Sequence, residues 1–299
     1  MADLVSRGWP APAKLNRFLH ITGRRADGFH NLQTIFQFID FCDELDFTLR
    51  DDGEITLLNA VEGVADQDNL VVRAAMLLQQ HSGTQTGVDI AIRKILPMGG
   101  GLGGGSSDAA TVLVALNQLW QTGLSQQALM QLGLQLGADV PVFVHARAVW
   151  AEGVGEKFTD VALDEAWFCV IVPAVNVATA AIFADAELTR DSRPVNLQDF
   201  IDGNTGNDCQ AVVCQHYPQV ELVLSWMREH IDQQPGCIIK SQMTGTGACV
   251  FAGFRTQQDA VEIKQQLPEG WTALVAQGQN QSPLTKRLQQ ERGQQTVQT

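Results

Sequence analysis

Hydrophobic positions in the first half of the chain alternate between a period of two and a helical period, which predicts alternating strands and helices. Apolar residues occupy every second position from Leu45 to Leu49, as expected for one face of a strand. The sequence Asp51-Asp52-Gly53 favours a turn, and the alternation resumes at Ile55. A β-hairpin within residues 43–57 is therefore expected.

Later segments follow the same two patterns. Residues 69–80 have helical spacing, residues 88–92 alternate as a strand, and helical spacing returns from residue 112 to residue 120. A second unit begins after residues 152–157. Its predicted elements are strands at 168–172, 248–251 and 271–276 and helices at 221–230 and 257–266. This succession is typical of a small α/β sandwich. We expect one domain at residues 1–157, a second at 158–284, and a frayed helix with a disordered tail at 285–299.

Composition and charge narrow the range of functions. A chain of 299 residues favours two domains, and its net charge of −13 provides no basic footprint for nucleic acid or an anionic membrane. No uninterrupted apolar run reaches the roughly 18 residues of a membrane-spanning helix. The N-terminal residues lack the apolar core of a signal peptide. The six cysteines form no CxxC pair, so reduced, structural thiols are expected.

A glycine-rich stretch carries the strongest chemical signal. Six of the seven residues from Gly99 to Gly105 are glycine, and a predicted helix follows. Glycines let backbone N–H groups approach a ligand, and a helix start adds unpaired N–H groups and a partial positive charge. Ser106, Ser107 and Asp108 suit the helix start as N-caps or as ligand contacts. The stretch therefore predicts an anion site, most commonly for phosphate, which an acidic protein can hold with local dipoles.

Four other interpretations of this glycine-rich stretch fit less well. It ends Gly105-Ser106-Ser107-Asp108 without a lysine, which excludes a Walker A loop. The third glycine position of the dinucleotide fingerprint is Ser106, and a protein-kinase glycine loop lies in a hairpin rather than before a helix. A flexible linker is not normally fused to an apolar strand on one side and a buried helix on the other.

Asp139 is the candidate general base because it lies in an otherwise apolar stretch, residues 136–143, where a carboxylate needs a partner or a chemical role. An N-cap or a buried salt bridge explains it equally well from the sequence alone. Lys14 is either a solvated charge or an active-site cation. His30 is either a loop histidine or a ligand contact, and Leu70 is either helix core or a ligand contact.

Three motifs in register resemble those of the GHMP kinases. They are PAKLN from Pro12, PMGGGLGGGSSDAA from Pro97 and TGTGACVF from Thr244. The resemblance extends from about Trp9 to Leu284. It implies an α+β protein with the two-domain GHMP kinase fold. In that fold an N-terminal domain like domain 2 of ribosomal protein S5 meets a C-terminal ferredoxin-like α/β sandwich, and the site lies in the cleft between them.

Further stretches resemble one branch of that family. They are ADGFH from Ala26, GADVPVF from Gly137, AEGVG from Ala151 and NQSPL from Asn280. This branch transfers the γ-phosphate of ATP to the 2-hydroxyl of a cytidine diphosphate-linked methylerythritol, in the non-mevalonate route to isoprenoid precursors. The alternatives are a mevalonate or homoserine type of GHMP kinase and a non-catalytic nucleotide-binding protein. Small acceptors have no base to stack on Phe29, and loss of the catalytic pair would mark the non-catalytic alternative.

The resemblance implies roles residue by residue. Lys14 and Asp139 would be catalytic. The ATP-binding positions would be Asn69, Leu70, Pro97, Met98, Gly99, Gly100, Gly101, Leu102, Gly103, Gly104, Gly105, Ser106 and Ser107. The substrate-binding positions would be Asn16, Phe29, His30, Thr179 and Phe183. Phe29 departs from the tyrosine of many relatives, which keeps a stacking face and loses a hydroxyl. Ser241-Gln242 replaces a basic residue of many relatives, so no charge contact is transferred there.

The same resemblance implies the cofactors and partners. ATP would be the co-substrate, with Mg²⁺ carried by its phosphates and waters rather than by a resident metal site. The partner would be a small-molecule substrate, with no nucleic acid or membrane. The family implies a cytoplasmic enzyme that acts as a monomer or weak homodimer.

Overall fold

Two long antiparallel strands form the centre of the fold. The computed structural model describes residues 4–59, 61 and 64–298. Strand β1 (Val5–Arg24) pairs with β2 (His30–Arg50) along most of its length, from Val5 opposite Thr48 to Arg24 opposite His30. Residues 11–19 of β1 are buried without interruption, so both faces of the strand are covered there. One face meets the helices of the first half, and the other meets the second half of the chain.

Nine further elements complete the first half of the chain. They are β3 (Ile55–Leu57), a single 3-10 turn (Asp66–Asp68), α1 (Leu70–Ser82), β4 (Gly87–Arg93), α2 (Gly104–Leu119), α3 (Gln126–Leu136), α4 (Val140–His145), β5 (Val149–Gly153) and β6 (Lys157–Asp160). The helix predicted at 69–80 and the strand predicted at 88–92 are confirmed as α1 and β4. The helix predicted around residues 112–120 is confirmed as the later part of α2, which is buried along most of its length.

The expected hairpin within residues 43–57 is wrong. Strand β4 pairs with residues 44–50 of β2 and therefore occupies the edge that a returning hairpin strand would need. Strand β3 lies outside β4 instead and pairs with it in parallel, with Ile55 opposite Val88. The turn at residues 51–53 thus leads the chain past β4 rather than back along β2.

The second half has the connectivity of a ferredoxin-like sandwich. Its elements are β7 (Trp167–Val172), α5 (Thr179–Ala184), α6 (Leu197–Ile201), α7 (Gln210–His216), α8 (Pro218–His230), β8 (Cys237–Met243), β9 (Val250–Phe254), α9 (Gln257–Gln265) and β10 (Thr272–Gln279). The strands lie in the order β10-β7-β9-β8, and all neighbours are antiparallel. This order follows from two β–α–β units with helices on one face. The three strands and two helices predicted from periodicity here are confirmed.

The two halves share one sheet and part of one core. Strand β10 pairs with β2 at Gly278–Ile39 and Gln279–Phe38. A cluster of buried apolar residues from both halves packs at this junction; it includes Leu15, Leu102, Phe168, Phe251 and Cys249. The expected boundary between residues 157 and 158 falls inside β6, which pairs with β5 of the first half.

The segment at residues 285–299, predicted to be a frayed helix and a disordered tail, is helical over its described part. A last helix, α10 (Pro283–Gln298), returns to the first half and packs on β1 and α2; residue 299 lies outside the described residues. Leu284 is buried, and Arg287 pairs with Glu291 at 2.8 Å between their charged atoms. Ser6 donates to the same Glu291 oxygen at 2.8 Å. Long-range contacts therefore order a segment whose composition is polar.

No helix in the described part of the chain is long and apolar enough to cross a membrane. All six cysteines are free thiols.

Candidate active site

A cavity of about 620 Å³ lies between the two halves of the chain. The glycine-rich stretch and the 138–139 segment form its wall on one side, and residues of α5 and the β8–β9 turn close the other. Its lining contains charged groups from Lys14, Lys94 and Asp139 within a largely apolar surface. Such a combination is typical of small-molecule sites.

The glycine stretch has a backbone that other residues would resist. Gly99, Gly101 and Gly103 have φ angles of 65°, 76° and 77°, which favour glycine. A Cβ on Gly101 would lie 2.3 Å from the Thr244 carbonyl oxygen, and one on Gly103 would lie 2.8 Å from Cζ of Phe143. The stretch therefore needs glycine for its turns and for close packing.

Helix α2 begins inside the glycine stretch, earlier than the sequence predicts. Gly103 is the N-cap, and Gly104 and Gly105 form the first turn. Ser106, Ser107 and Asp108 are therefore helical residues rather than N-caps. The N–H groups of this first turn lie at the N-terminal end of α2, which is the end of a helix that favours anions.

Backbone hydrogen bonds fix the stretch between the two halves. Gly99 and Gly100 accept from the N–H groups of Ala248 and Cys249 in the second half, at 3.2 and 3.0 Å. Leu102 accepts from the Lys14 N–H in β1 at 3.0 Å. The motifs that begin at Pro12, Pro97 and Thr244 thus meet at one place.

Lys14 is an almost fully buried cation with three partners. Its side chain is 4% exposed, and its Nζ lies 3.3 Å from Oδ2 of Asp139. The same Nζ donates to Oδ1 of Asn16 at 2.5 Å and to the Gly101 carbonyl at 3.0 Å. A charge at this depth requires such compensation. The surface-charge alternative for Lys14 is therefore wrong.

Asp139 occupies the N-cap position of α4, but its side chain makes no capping hydrogen bond. Its carboxylate is 37% exposed, on the cavity wall, and pairs with Lys14. The apolar neighbours in its sequence are the buried residues of α4, which anchor the segment from behind. The arrangement leaves an ionisable oxygen beside the cavity within reach of a ligand hydroxyl.

Asn16 is held by a threonine from each side. Its backbone N–H donates to Thr244 Oγ1 at 2.9 Å, and its Nδ2 donates to Thr34 Oγ1 at 2.9 Å. With both bonds made, its Oδ1 is directed at Lys14. Thr244 and Thr34 were not among the predicted site residues, because their role depends on contacts between distant segments.

A second buried charge cluster was missed from the sequence. Lys94 follows β4 directly and pairs with Asp108 in α2 at 2.7 Å and with Asp43 in β2. Asp43 is fully buried and also accepts from the N–H groups of Ile95 and Leu96, at 2.6 and 2.8 Å. The cluster therefore fixes the approach to the glycine stretch. The sequence did contain one signal for this cluster, namely a lysine directly after a predicted strand and three residues before Pro97.

Burial and the neighbouring charges shift the pKa values of Asp108 and Lys94. Burial raises the pKa of Asp108 to about 7, although the charge of Lys94 opposes the shift. Burial also lowers the pKa of Lys94, but the charges of Asp108 and Asp43 outweigh it and raise that pKa overall. Both Lys94 and Asp108 line the cavity.

The expected nucleotide side of the site lies beside α1. Asn69 lines the cavity and is also the N-cap of α1, accepting from the Val71 N–H at 2.9 Å. Leu70 lines the cavity and also packs against the core of the first half. Both alternatives for Leu70 thus describe part of its surroundings.

The expected substrate residues divide into two groups. Thr179 and Phe183 of α5 line the cavity, and Thr179 Oγ1 lies 2.8 Å from Thr246 Oγ1. His30 does not line the cavity, but its ring stacks on Phe183 with the centroids 5.3 Å apart. Phe29 lies outside the lining and is 60% exposed.

Most predicted site residues meet at this cavity. Seventeen lie in its lining: Lys14, Asn16, Asn69, Leu70, Pro97, Met98, Gly99, Gly100, Gly101, Leu102, Gly103, Gly104, Gly105, Ser106, Asp139, Thr179 and Phe183. Ser107, Phe29 and His30 lie outside it. Ser107 is fully buried in α2, with no hydrogen-bond partner for its Oγ in the described part of the protein.

Two family profiles match the chain. Residues 69–147 match the GHMP kinases N terminal domain, and residues 186–273 match the GHMP kinases C terminal domain. A protein of Shewanella loihica named 4-diphosphocytidyl-2-C-methyl-D-erythritol kinase is 52% identical over 291 residues, which cover 97% of this chain and 100% of that protein.

Solved structures agree with these matches. A crystal structure of 4-(cytidine 5'-diphospho)-2C-methyl-D-erythritol kinase has a TM-score of 0.75 and 28% identity, covering 92% of this chain and 99% of the other. A mevalonate kinase has a TM-score of 0.64 at 16% identity, covering 93% and 100%, which shows a shared fold alone. The two-domain α+β fold expected from the sequence is confirmed.

Proposed function

The chain belongs to the GHMP kinase family, and we propose that it phosphorylates the 2-hydroxyl of 4-diphosphocytidyl-2-C-methyl-D-erythritol with ATP. The products are the 2-phosphate and ADP. The observation that carries the proposal is the Lys14–Asp139 pair, 3.3 Å apart on the wall of a cavity that the glycine stretch also lines. The choice of acceptor rests on the 52% identity with the Shewanella loihica kinase over nearly the whole chain.

Asp139 has the position of a general base. Its exposed oxygen accepts the proton of the acceptor hydroxyl as that oxygen attacks the γ-phosphorus. The bond between the γ-phosphorus and the bridging oxygen breaks, and its electron pair leaves with ADP. Phosphoryl transfer asks the protein mainly for positioning and for charge stabilisation, so a carboxylate held by a fixed cation is sufficient chemistry on the acceptor side.

Lys14 serves both the base and the transferred group. Its ammonium pairs with the Asp139 carboxylate at 3.3 Å and stabilises the negative charge of the γ-phosphoryl group in the transition state. Asn16 and the Gly101 carbonyl hold Nζ in place before the substrate binds. The cation is therefore preorganised, which lowers the reorganisation needed during the reaction.

The first turn of α2 suits the phosphates of ATP and their magnesium ion. Its free N–H groups favour anions. Hard cations prefer oxygen ligands. Ser106 and Asp108 line the cavity, and Asp108 Oδ1 is buried without a hydrogen-bond partner among the described atoms. These residues fit a magnesium ion carried by the nucleotide. When bound, such an ion neutralises phosphate charge and orients the γ-phosphate.

The remaining properties follow from the same proposal. The enzyme acts in the cytoplasm on a small molecule in isoprenoid precursor synthesis, without nucleic acid or membrane as a partner, as a monomer or weak homodimer. Phe183, with His30 stacked on it, supplies a flat apolar surface for the cytosine ring. Phe29 is the exposed aromatic residue that the bound base is proposed to recruit.

Release of ADP from Mg-ATP tests the proposal when three acceptors are supplied separately. We expect turnover with 4-diphosphocytidyl-2-C-methyl-D-erythritol and only the acceptor-free rate with mevalonate or homoserine. Phosphorus NMR of the product would locate the new phosphate on the 2-hydroxyl.

Turnover with mevalonate or homoserine instead would retain the phosphate site and overturn the acceptor assignment. No turnover with any acceptor, while ATP still binds, would favour the non-catalytic alternative. Inhibition by free cytidine diphosphate provides a control, because an acceptor site with a base pocket predicts inhibition that is competitive with the acceptor and not with ATP.

A further inference from the structure

Arg190 connects the two residues proposed to form the cytosine surface. It lies in the segment after α5 and is half-buried between that segment and the start of β2. Its Nε donates to Nε2 of His30 at 3.1 Å. Its Nη2 donates to the carbonyl oxygens of Phe183 and Asp185 at 3.0 and 2.5 Å.

All three guanidinium nitrogens are in use. Nη1 donates to the Leu188 carbonyl oxygen at 3.0 Å, which closes the segment from Phe183 to Arg190 on itself. A planar guanidinium can hold several acceptors in a fixed arrangement, which an ammonium cannot. The side chain of Arg190 therefore holds both residues of the His30–Phe183 stack.

The contact with Arg190 fixes the proton on His30. A guanidinium in a protein is always a donor, so Nε2 of His30 must accept and carries no hydrogen. The neutral imidazole then carries its proton on Nδ1. Burial is the main influence that lowers the pKa of His30, and the charges of Arg190 and Arg24 lower it further. His30 is thus a neutral ring with one defined donor.

We propose that Arg190 is a positioning residue for recognition of the pyrimidine. It holds His30 against Phe183 and keeps the imidazole in the form that donates from Nδ1. A donor at this position suits an acceptor of cytosine such as O2 or N3. The proposal rests on the proposed function because it takes the acceptor to carry a cytidine diphosphate group.

Two substitutions separate the parts of this role. Arg190→Met removes every donor and the charge, whereas Arg190→Lys keeps a charge and cannot reach His30 and the carbonyl oxygens together. Arg193→Met is the matched control, since Arg193 lies three residues further along the same segment and is exposed. Thermal unfolding of each variant verifies that it folds.

The first measurement uses the resting enzyme without substrate. Long-range proton–nitrogen NMR of histidine-labelled protein distinguishes Nδ1–H from Nε2–H, and His30→Gln assigns the signal. We expect an unprotonated Nε2 in the wild type and in Arg193→Met. Arg190→Met should give a mixture of both tautomers, and Arg190→Lys should lie between.

The second measurement separates binding from chemistry. Because a hydrogen bond to a charged group is involved, we expect Arg190→Met to raise KM for the cytidine substrate about tenfold. KM for ATP and kcat should stay within about twofold of the wild type, because the bonds of Arg190 within the described part of the chain go to His30 and to carbonyl oxygens of residues 183–188. The dissociation constant for cytidine diphosphate should weaken in parallel with the first KM.

The outcomes distinguish this proposal from the proposed function. If the wild type phosphorylates the cytidine substrate but Arg190→Met changes neither the tautomer nor the KM, the positioning role is overturned and the function stands. A full return to wild-type values in Arg190→Lys would also overturn it, since charge alone would then suffice. If the tautomer and the cytidine diphosphate affinity follow Arg190 while no phosphorylation occurs, the positioning role is supported and the function is overturned.

Discussion

Replacing Gly101 by alanine tests the claim that the glycine stretch is shaped by close packing between the two halves. Gly101 has a φ of 76°, and a Cβ there would lie 2.3 Å from the Thr244 carbonyl oxygen and 3.0 Å from that of Gly247. Both obstacles are backbone atoms, which cannot rotate away as a flexible side chain can. The loop must therefore shift, and the Gly101 carbonyl that accepts from Lys14 shifts with it.

The expected cost has two parts. An alanine in the left-handed region costs about 1–2 kcal/mol. Overpacking against a rigid neighbour adds about 1–3 kcal/mol. Gly101→Ala should therefore lower the free energy of unfolding by about 2–5 kcal/mol, which is a large fraction of typical domain stability. The displaced Lys14 should reduce kcat/KM by about a hundredfold, the scale expected for a misplacement of about 1 Å.

Gly105→Ala is the matched control within the same stretch. Gly105 lies in the first turn of α2 with a helical backbone, and its Cβ would meet only Cδ1 of Leu70, at an ordinary 3.5 Å. Alanine is the better helix former, so this variant should be as stable as the wild type or up to about 1 kcal/mol more stable. Urea unfolding at pH 7.5 measures both variants, and turnover with saturating ATP measures the effect on Lys14.

The reasoning would be refuted if the two variants unfolded with the same free energy. Equal stability would mean that the glycine stretch can move away from the motif that begins at Thr244 without a loss of unfolding free energy. A stable Gly101→Ala variant that also kept full activity would further show that the Gly101 carbonyl does not position Lys14.

Two further predictions concern buried charges. Burial raises the pKa of Asp108 from 3.8 to about 7, so the folded protein binds an extra proton in this window and loses stability as the pH rises through it. In urea unfolding, Asp108→Asn should therefore reduce the loss of unfolding free energy with rising pH by up to about 1.4 kcal/mol per pH unit. If this variant and the wild type lost stability with pH equally, the raised pKa of Asp108 would be contradicted. Glu291→Gln weakens the buried pair with Arg287 and should cost about 1–3 kcal/mol, whereas the exposed Glu269→Gln should cost less than about 0.5 kcal/mol. Equal unfolding midpoints for these two glutamine variants would show that α10 does not depend on the pair.

The sequence predicted best what local patterns determine. Helix α1 and strand β4 follow from apolar spacing within about a dozen residues. The predicted first residue of this helix, Asn69, is the N-cap of α1 in the structure. The glycine stretch was predicted to be an anion site because glycines directly before a helix expose backbone N–H groups, and the structure adds that Gly99, Gly101 and Gly103 have positive φ angles. Its relation to Lys14 and Asp139 came from the resemblance, since the three segments are far apart in the chain.

The errors arose where distant segments decide the structure. The expected hairpin failed because β4 competes for the edge of β2. The tail was predicted to be disordered because its apolar pattern is weak, yet Glu291 bonds to Ser6, 285 positions away.

The buried charge cluster was missed for the same reason, although Asp108 was predicted to be an N-cap or a ligand contact. Asp43 in β2, Lys94 directly after β4 and Asp108 in α2 meet only in the folded chain. Arg190 contacts His30 across 160 positions. Periodicity within a short window contains no information on such contacts.

Asp139 is proposed to accept the proton of the acceptor hydroxyl beside Lys14. Single-turnover phosphoryl transfer by Asp139→Asn, with ATP affinity measured on the same protein, is the decisive experiment for this role. Asparagine keeps the shape and removes the basic oxygen, so ATP binding should stay within about twofold while the transfer rate falls by about 10²–10⁴. Transfer at close to the wild-type rate would contradict the claim and would leave the 3.3 Å contact with Lys14 as a structural ion pair.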